Sequence, residues 1–252
     1  MPTYGLIGYP LSHSFSRGYF TEKFRALGMA DTHRYLNFEL PSLEGVEKLP
    51  ARYPDLVGCN VTIPHKRAIV ARLDALDPVA ARIGAVNTIR FSDGRATGFN
   101  TDYVGFRDDL LRGLGAAGRS TDLKGTSALI LGTGGASLAV REVLRDLGVT
   151  TTYVSRQPAE GVLTYTALDP RTIQNYPLIV NTTPLGMHPA VDAAPAIPYA
   201  ALTAEHFCYD LIYNPTETRF MREARGAGAG AMNGLGMLHR QAEASWEIWN
   251  AE

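Results

Sequence analysis

The chain has 252 residues, of which 45% are hydrophobic and 19% are charged, and its formal net charge is −1 at pH 7. This composition is typical of a soluble globular protein with one large or two modest domains. It lacks the basic excess of a protein that binds nucleic acid or an anionic membrane surface, and no apolar run reaches the ~20 residues of a membrane span. We therefore expect neither nucleic acid nor membrane as a partner.

The two cysteines, Cys59 and Cys208, stand far apart in apolar surroundings and are expected to be core thiols. The first residues lead directly into a strand pattern, so we expect no signal peptide. Both features favour a reducing, cytoplasmic location. The histidines show no metal-ligand spacing, which predicts that the protein has no metal site.

The first predicted strand, at 4–8, is ended by a Tyr-Pro pair, and a helix is predicted at 15–27. Ser12 and Ser14 lie in the loop between them. Loops at the carboxyl ends of strands bind ligands in open α/β sheets, and two adjacent hydroxyls suit a carboxylate. The alternative is that one serine simply caps the helix.

A strand is predicted at 34–40, and a short helix is predicted to begin at Pro41 with Ser42 as its N-cap. A further strand is predicted at 57–63. The alternation of strands and helices in this first third of the chain predicts a parallel sheet with right-handed crossovers.

The segment Asn-Val-Thr-Ile-Pro-His-Lys, at 60–66, ends this strand with polar side chains. Asn60 and Thr62 share one face of a strand, which directs Val61 and Ile63 to the core. Pro64 stops the strand, and Lys66 opens a pattern that predicts a helix through Leu76. This strand end suits an oxygen-rich small molecule, although an ordinary solvated strand end has the same pattern.

Residues 85–99 are predicted to form a β-hairpin around Asp93 and Gly94. This register brings Asn87 opposite Asn100 and so close to Asp102, where the next helix starts. An acid at a helix start also complements the helix dipole, which is a sufficient structural reason for Asp102. We expect a domain junction along this helix.

A dinucleotide-binding fingerprint is predicted where a buried strand, a glycine turn and a helix follow each other between 126 and 147. Gly132 permits the tight turn, and Gly134 lets the backbone approach a pyrophosphate at the helix N-terminus. Ser137 replaces the usual third glycine. A glycine turn without a ligand is the alternative.

The next strand, at 150–154, ends in Ser155 and Arg156 instead of the acid that binds the ribose of NAD. A guanidinium suits the 2′-phosphate of NADP because it is always charged and can donate two hydrogen bonds at once. NADP is therefore favoured, although Arg156 could be a plain surface charge. Residues 157–170 leave little room for a crossover helix.

The rest of the chain is predicted to form strands at 178–181, 206–213 and 229–233 and a final helix at 235–249. Met237 and Gln241 share one face of that helix because they are four residues apart.

In their order along nearly the whole chain, these motifs closely resemble the shikimate dehydrogenase family. The residues that carry the resemblance are Ser12-His13-Ser14, the 60–66 segment, Ala85-Val86-Asn87-Thr88, Asn100-Thr101-Asp102, Gly132-Thr133-Gly134-Gly135-Ala136-Ser137, Asn181-Thr182-Thr183-Pro184-Leu185-Gly186, Tyr209-Asp210-Leu211-Ile212-Tyr213, and 233–238 with Gln241. The resemblance implies an α/β fold of two α/β domains with the active site in the cleft. The substrate domain would be 1–101 plus 235–252, with a mainly parallel sheet and the returning C-terminal helix. The Rossmann-like NADP domain would be 102–234.

The resemblance also implies the roles of individual residues. Ser12 and Ser14 would hold the carboxylate of shikimate, and Lys66 and Asp102 would flank the reacting C3 oxygen. Further substrate contacts would come from Asn60, Thr62, Asn87, Tyr213 and Gln241. Cofactor contacts would come from Gly132, Thr133, Gly134, Gly135, Ala136, Ser155 and Arg156, and Leu211, Gly234 and Met237 would line the nicotinamide side.

The expected activity is the reversible reduction of 3-dehydroshikimate to shikimate by NADPH, a step towards chorismate and the aromatic amino acids. One alternative is an NAD-dependent quinate/shikimate dehydrogenase. Another is a non-catalytic NADP-binding protein on the same scaffold. A monomer or a homodimer is expected.

Overall fold

Twelve strands and eight α-helices form the described part of the chain, residues 1–11 and 14–251 of a computed structural model. The strands are β1 Thr3–Gly8, β2 Arg34–Glu39, β3 Leu56–Val61, β4 Ala75–Leu76, β5 Thr88–Ser92, β6 Arg95–Phe99, β7 Ser127–Leu131, β8 Thr150–Ser155, β9 Val162–Thr164, β10 Leu178–Asn181, β11 Phe207–Asp210 and β12 Gly230–Asn233. The α-helices are α1 Phe15–Ala26, α2 Leu49–Arg52, α3 Pro78–Ile83, α4 Asp102–Ala116, α5 Gly135–Asp146, α6 Pro170–Gln174, α7 Arg219–Gly226 and α8 Leu235–Asn250. None of the helices within these ranges is long and apolar enough to cross a membrane.

The chain divides into two units, Met1–Thr101 with Ala242–Glu252, and Asp102–Gln241. Each unit is built around one six-stranded sheet. Helix α8 begins in the second unit and ends in the first.

The sheet of the first unit has the order β2-β1-β3-β5-β6-β4. Strand β1 is parallel to β2 and β3, whereas β5 is antiparallel to both β3 and β6. The predicted hairpin is confirmed, and its turn has Asp93 at φ 52° and Gly94 at φ 72°, as a type I′ turn requires. Because β5 runs antiparallel to its neighbours, the sheet is mixed and not purely parallel.

Both faces of this sheet are covered. Leu6 and Ile7, neighbours on β1, belong to different hydrophobic clusters because successive strand residues point to opposite faces. The cluster around Leu6 is aromatic, and in it Trp249 of α8 lies 5.0 Å from the ring of Tyr4. The indole N–H of Trp249 also donates to the carbonyl of Ile89, so the end of α8 is fixed to the first unit.

The sheet of the second unit is entirely parallel, in the order β12-β11-β10-β7-β8-β9. With β7 as the first strand, this is the strand order of a Rossmann fold. Leu129 and Ile130 are fully buried in clusters on opposite faces, as expected for a sheet covered on both sides.

The connection from β8 to β9 confirms that a crossover helix is missing. It consists of residues 156–161, and β9 then pairs in parallel with β8. Strand β9 and the short helix α6 were not predicted.

Several predicted elements differ in the structure. The helix expected at Pro41 begins later, with a 3₁₀ turn at Val46–Lys48 preceded by Gly45 at φ 76°, so Ser42 is not its N-cap. The Ser42 hydroxyl instead accepts a local bond from the Glu44 N–H. Strand β11 is also shorter than the predicted 206–213, since it ends at Asp210.

The helix predicted from Lys66 through Leu76 is wrong. That segment forms a 3₁₀ turn at Ala68–Arg72 and then strand β4. Asp74 explains the change, since its N–H donates to the Ala96 carbonyl (3.0 Å) and its carboxylate accepts from the Ala96 N–H (2.7 Å). Pairing with a distant strand therefore overrides the helical spacing.

Candidate active site

The carboxyl ends of β1 and β3 lie side by side in the first unit. Leu6 pairs with Asn60, and the Tyr9 N–H donates to the Ile63 carbonyl at 3.1 Å. The start of β5 reaches the same edge because Asn60 also pairs with Thr88. The loops that follow β1 and β3 and the segment that precedes β5 therefore meet at one edge of the sheet.

Ser14 has a buried hydroxyl at this edge. It occupies the N-cap position of α1, but its side chain makes no capping bond. Its oxygen finds no hydrogen-bond partner among the described residues. A buried hydroxyl is normally partnered, so this one is available to a ligand. Ser12, the other predicted carboxylate ligand, lies outside the described residues.

Asn60 is 4% exposed, and both ends of its side-chain amide are bonded. Its oxygen accepts from the Tyr35 hydroxyl at 2.8 Å, and its nitrogen donates to the Ser245 hydroxyl at 2.9 Å. The amide nitrogen also lies 3.2 Å from the Thr88 hydroxyl. Asn60 therefore ties strands β2, β3 and β5 to α8.

Asn87 is also held on several sides. Its side-chain oxygen accepts from the N–H of Thr101 at 2.7 Å and from the hydroxyls of Thr101 and Thr88. Its backbone carbonyl accepts from the Val61 N–H at 2.8 Å. The predicted proximity of Asn87 to the residues before α4 is confirmed. Because these bonds fix the side-chain oxygen, they also fix the direction in which the amide nitrogen points.

Thr62 and Lys66 lie in the turn after β3, where both are half-buried. The strand ends at Val61, so Thr62 is not part of it, and Ile63 is 75% exposed instead of facing the core. His65 anchors the turn because its buried ring lies 2.6 Å from the Leu40 carbonyl. The Lys66 carbonyl accepts from the Val86 N–H, which fixes its backbone beside the start of β5.

The glycine turn of the second unit follows β7. Gly132 has φ 100°, and a Cβ at this position would lie 2.9 Å from the methyl group of Thr183. Gly134 is the N-cap of α5, and a Cβ there would meet no atom within 4 Å. The turn thus needs glycine at 132 for its own geometry and leaves open space at 134.

The helix start beyond Gly134 is open to a ligand. Thr133 is exposed, and Gly135 and Ala136 are half-buried. Backbone N–H groups of a first helical turn lack helical partners and attract phosphate. Ser137 is fully buried, and its hydroxyl donates to the Gly134 carbonyl at 2.7 Å, so it stabilises the turn. These residues fit a pyrophosphate.

Ser155 and Arg156 stand at the carboxyl end of β8, beside β7 and its glycine turn. The hydroxyl of Ser155 accepts from the Gln157 N–H at 3.2 Å and so shapes the chain after the strand. The side chain of Arg156 is exposed. Within the described residues, Arg156 forms neither an ion pair nor a hydrogen bond, so its charge is available to an anion.

Leu211, Gly234 and Met237 come together where β11 and β12 end. The Gly234 N–H donates to the Ile212 carbonyl, and a Cβ on Gly234 would lie 2.4 Å from the Leu211 carbonyl oxygen. Leu211 packs against the cluster that contains Met237. Gly234 and Met237 are buried and Leu211 is half-buried, so they belong to the packed carboxyl edge of the second sheet.

Asp102, Tyr213 and Gln241 are the remaining predicted site residues, and all belong to the second unit. Asp102 is the first residue of α4 and is 5% exposed. Burial raises the pKa of Tyr213, so its phenol stays protonated and able to donate. Gln241 packs against Gly105 of α4. A Cβ added to Gly105 would lie 3.1 Å from the Cβ of Gln241.

Sequence reasoning missed Tyr35 and Ser245, which hold Asn60. Ser245 could have been found, because it lies one helical turn after Gln241 on α8. Tyr35 carries no such signal. The network depends on contacts between segments that are distant in sequence.

The two cysteines offer no reactive thiol. Both are buried and unpaired, and burial raises the pKa of Cys208 to about 12. Across residues 1–11 and 14–251, no cluster of His, Cys, Asp or Glu is arranged to hold a metal ion.

The fold and these residues define a two-unit α/β protein with a Rossmann-type dinucleotide-binding unit. A model of the shikimate dehydrogenase substrate-binding domain matches residues 6–89. The chain is 36% identical to a shikimate dehydrogenase (NADP(+)) of Desulforamulus reducens, over 97% of this chain and 88% of that protein.

Solved structures agree with this match. A crystal structure of a shikimate dehydrogenase in complex with NADP+ is similar over 100% of this chain and 91% of its own, with a TM-score of 0.86 and 34% identity. A shikimate 5-dehydrogenase of Thermus thermophilus, in complex with NADP(H) and shikimate, has a TM-score of 0.84 and 34% identity, with coverage of 100% and 94%. The chain belongs to the shikimate dehydrogenase family.

Proposed function

We propose that this protein is a shikimate dehydrogenase that reversibly reduces 3-dehydroshikimate to shikimate with NADPH. The observation that carries the proposal is the combination, in one chain, of two features. One is the edge of the first sheet, where the Asn87 amide is fixed and the buried Ser14 hydroxyl has no partner within residues 1–11 and 14–251. The other is the glycine turn of a Rossmann-type unit, where Gly132 has φ 100°. The shikimate dehydrogenases named above match this chain over 88% and 94% of their own length.

The first unit, residues 1–101 with the end of α8, is proposed to bind the substrate. Ser14, together with Ser12, would donate hydrogen bonds to the carboxylate. Asn87 and Thr62 of this unit would contact the carboxylate or the ring hydroxyls, and the same role is proposed for Tyr213 and Gln241 of the second unit. Asn60 would act mainly by holding the edge in shape, because its amide is bonded to Tyr35 and Ser245.

The second unit is proposed to bind NADP(H). The open start of α5, at Thr133, Gly134, Gly135 and Ala136, would hold the pyrophosphate, and Ser155 with Arg156 would hold the adenosine ribose and its 2′-phosphate. Leu211, Gly234 and Met237 would line the nicotinamide. When bound, NADPH supplies the hydride for the carbonyl carbon of the substrate.

The proton for the new alkoxide is proposed to come from Lys66. An ammonium group is the ordinary state of lysine at neutral pH and can donate to the oxygen, and the free amine can accept the proton in the reverse direction. Asp102 is proposed to act on the same oxygen. General acid–base help of this kind contributes about 10²–10⁴ in rate.

We place the enzyme in the cytoplasm, which the free buried thiols of Cys59 and Cys208 support. Whether it acts as a monomer or a homodimer does not enter the mechanism.

The test is the appearance of NADPH absorbance when the protein is mixed with shikimate and NADP+. Parallel reactions replace shikimate with quinate and NADP+ with NAD+. We expect the highest kcat/KM for shikimate with NADP+. A higher value for NAD+ would favour the NAD-dependent quinate/shikimate dehydrogenase, and tight NADP+ binding without turnover of any cyclic hydroxy acid would favour the non-catalytic alternative.

A further inference from the structure

The unusual part of the second unit is the way β9 joins the sheet. Parallel neighbours ordinarily need a crossover of a dozen or more residues, usually with a helix. Here the connection is residues 156–161, and the register pairs Tyr153 with Val162 and Ser155 with Thr164. Strand β9 therefore follows Arg156 at the position where a crossover helix would ordinarily stand.

This register places a second hydroxyl beside Ser155. Paired residues on neighbouring parallel strands point to the same face of a sheet, so Thr164 lies next to Ser155 at the carboxyl edge. The Thr164 hydroxyl is 2.9 Å from the hydroxyl of Thr166 in the following 3₁₀ turn. We call Ser155, Thr164, Tyr165 and Thr166 the hydroxyl cluster.

Arg156 directly follows Ser155 in the chain, so it stands at the same carboxyl end of β8. Burial raises the pKa of the Tyr165 phenol, and the guanidinium of Arg156 opposes that rise through its charge. The hydroxyl of Tyr165 is buried, and it has no hydrogen-bond partner in the described part of the chain. Arg156, which has no bonded anion within the described residues, thus adjoins the paired residues Ser155 and Thr164 at the carboxyl end of β8.

The chemistry of this place fits a phosphate monoester. Its oxygens accept hydrogen bonds from hydroxyls and from a guanidinium, and charge-assisted bonds of this kind are the stronger ones. The sequence carries no Lys or Arg between 157 and 170, so Arg156 stands alone as a cation in this stretch. A ribose with a free 2′-hydroxyl would gain little from that charge.

We propose that strand β9 completes the 2′-phosphate subsite, with Thr164 and Thr166 supplying neutral donors beside Arg156. This inference rests on the proposed use of NADP. The preference for NADP over NAD then depends on one cation and on hydroxyls from β9 and its 3₁₀ turn, and not on a second basic side chain from a crossover helix.

The experiment measures equilibrium dissociation constants of NADP+ and NAD+ by calorimetry on the full chain. Thr164→Val should weaken NADP+ binding about tenfold and change NAD+ binding less than about twofold. Thr164→Ser should retain the NADP+ affinity. Arg156→Gln should bring the NADP+ affinity to within about fivefold of that for NAD+.

Thr150→Val is the matched control, because Thr150 is an exposed threonine at the amino end of β8, the end opposite to Ser155. Thermal melting of each variant checks that it is folded. If Thr164→Val is not folded, Thr166→Val replaces it and should likewise weaken NADP+ binding. The inference would be overturned if NADP+ bound equally well to the unmodified protein, to Thr164→Val and to a Thr164→Val/Thr166→Val double variant. That result would leave the proposed function intact. Failure of the unmodified protein to bind NADP+ would contradict both.

Discussion

The side-chain oxygen of Asn87 accepts a hydrogen bond from the backbone N–H of Thr101 at 2.7 Å, and the Asn87 amide nitrogen donates to the Thr101 hydroxyl at 3.0 Å. Both residues are 2% exposed. Two bonds to the same residue hold a planar amide in one orientation. A substrate contact by Asn87 would therefore depend on the residue that immediately precedes α4.

Thr101→Val tests this dependence. The change removes the hydroxyl that contacts Asn87, Thr88 and Ser245, so buried polar groups lose a partner. We expect the free energy of unfolding to fall by about 1–3 kcal/mol, and the KM for shikimate to rise about fivefold with a smaller change in kcat. Thr101→Ser keeps the hydroxyl and should restore both values; a KM that stays low in Thr101→Val would remove Asn87 from the substrate site.

Ser14→Ala separates a binding hydroxyl from a structural one. The hydroxyl makes no bond to the described part of the protein, so its loss should leave the thermal midpoint unchanged. The KM for shikimate should rise about tenfold, because a bond to a carboxylate is lost. A lower thermal midpoint with an unchanged KM would instead assign Ser14 to helix capping.

Lys66→Ala tests the proposed proton donor. We expect kcat to fall by at least about 10²-fold, with a smaller effect on KM. Lys48→Ala is the matched control, since Lys48 is an exposed lysine of the same unit. If Lys66→Ala changed KM alone, Lys66 would be a binding residue only.

Gly132→Ala and Gly134→Ala distinguish the two functions of the glycine turn. At 132, a φ of 100° and a contact of 2.9 Å with Thr183 should cost about 1–3 kcal/mol of stability and distort the turn. At 134 the space is open and φ is −77°, so alanine should cost less than about 1 kcal/mol. Calorimetry should nevertheless show weaker NADP+ binding in Gly134→Ala, because the added methyl keeps a pyrophosphate from the backbone. Unchanged NADP+ affinity there would argue against this turn as the pyrophosphate site.

Asp210 predicts a pH dependence of stability. It is fully buried beside Asn181, Ile212 and Thr218, and burial raises its pKa to about 6. Between about pH 4 and pH 6 the folded protein therefore holds a proton that the unfolded chain has lost. The contribution of Asp210 to stability is greatest below pH 4 and falls by about 3 kcal/mol as the pH rises through 6.

Asp210→Asn removes this titration and can keep the same neighbours, since the amide can accept from the N–H groups and donate to Thr218. Denaturant unfolding at pH 4 and pH 7 would measure the effect. The free energy of unfolding of the natural protein, relative to that of the variant, should be about 3 kcal/mol higher at pH 4 than at pH 7. An equal difference at both pH values would show that burial does not raise the pKa of Asp210 in the folded protein.

Features set by adjacent residues could be predicted from the sequence. Asp93 and Gly94 specify a type I′ turn wherever they stand between two strands, and the register of that hairpin was enough to bring Asn87 to the start of α4. The glycine turn at 132 was predictable for the same reason, because its positive φ is a local requirement.

Features set by distant pairing could not be predicted. The residues from Lys66 to Leu76 have helical spacing, yet Asp74 pairs with Ala96 and converts part of them to a strand. Tyr35 and Ser245 join Asn60 from segments far along the chain. Strand β9 depends on pairing with β8 and has only a short, weakly patterned sequence of its own.

The transfer of hydrogen from C3 of shikimate to NADP+ is the most direct measurement of the proposed activity. The protein would be incubated with NADP+ and shikimate that carries deuterium at C3, and the reduced cofactor would be examined by NMR. We predict that the deuterium appears at C4 of the nicotinamide ring, together with formation of 3-dehydroshikimate. Reduced cofactor without deuterium, or deuterated shikimate recovered unchanged, would contradict the account.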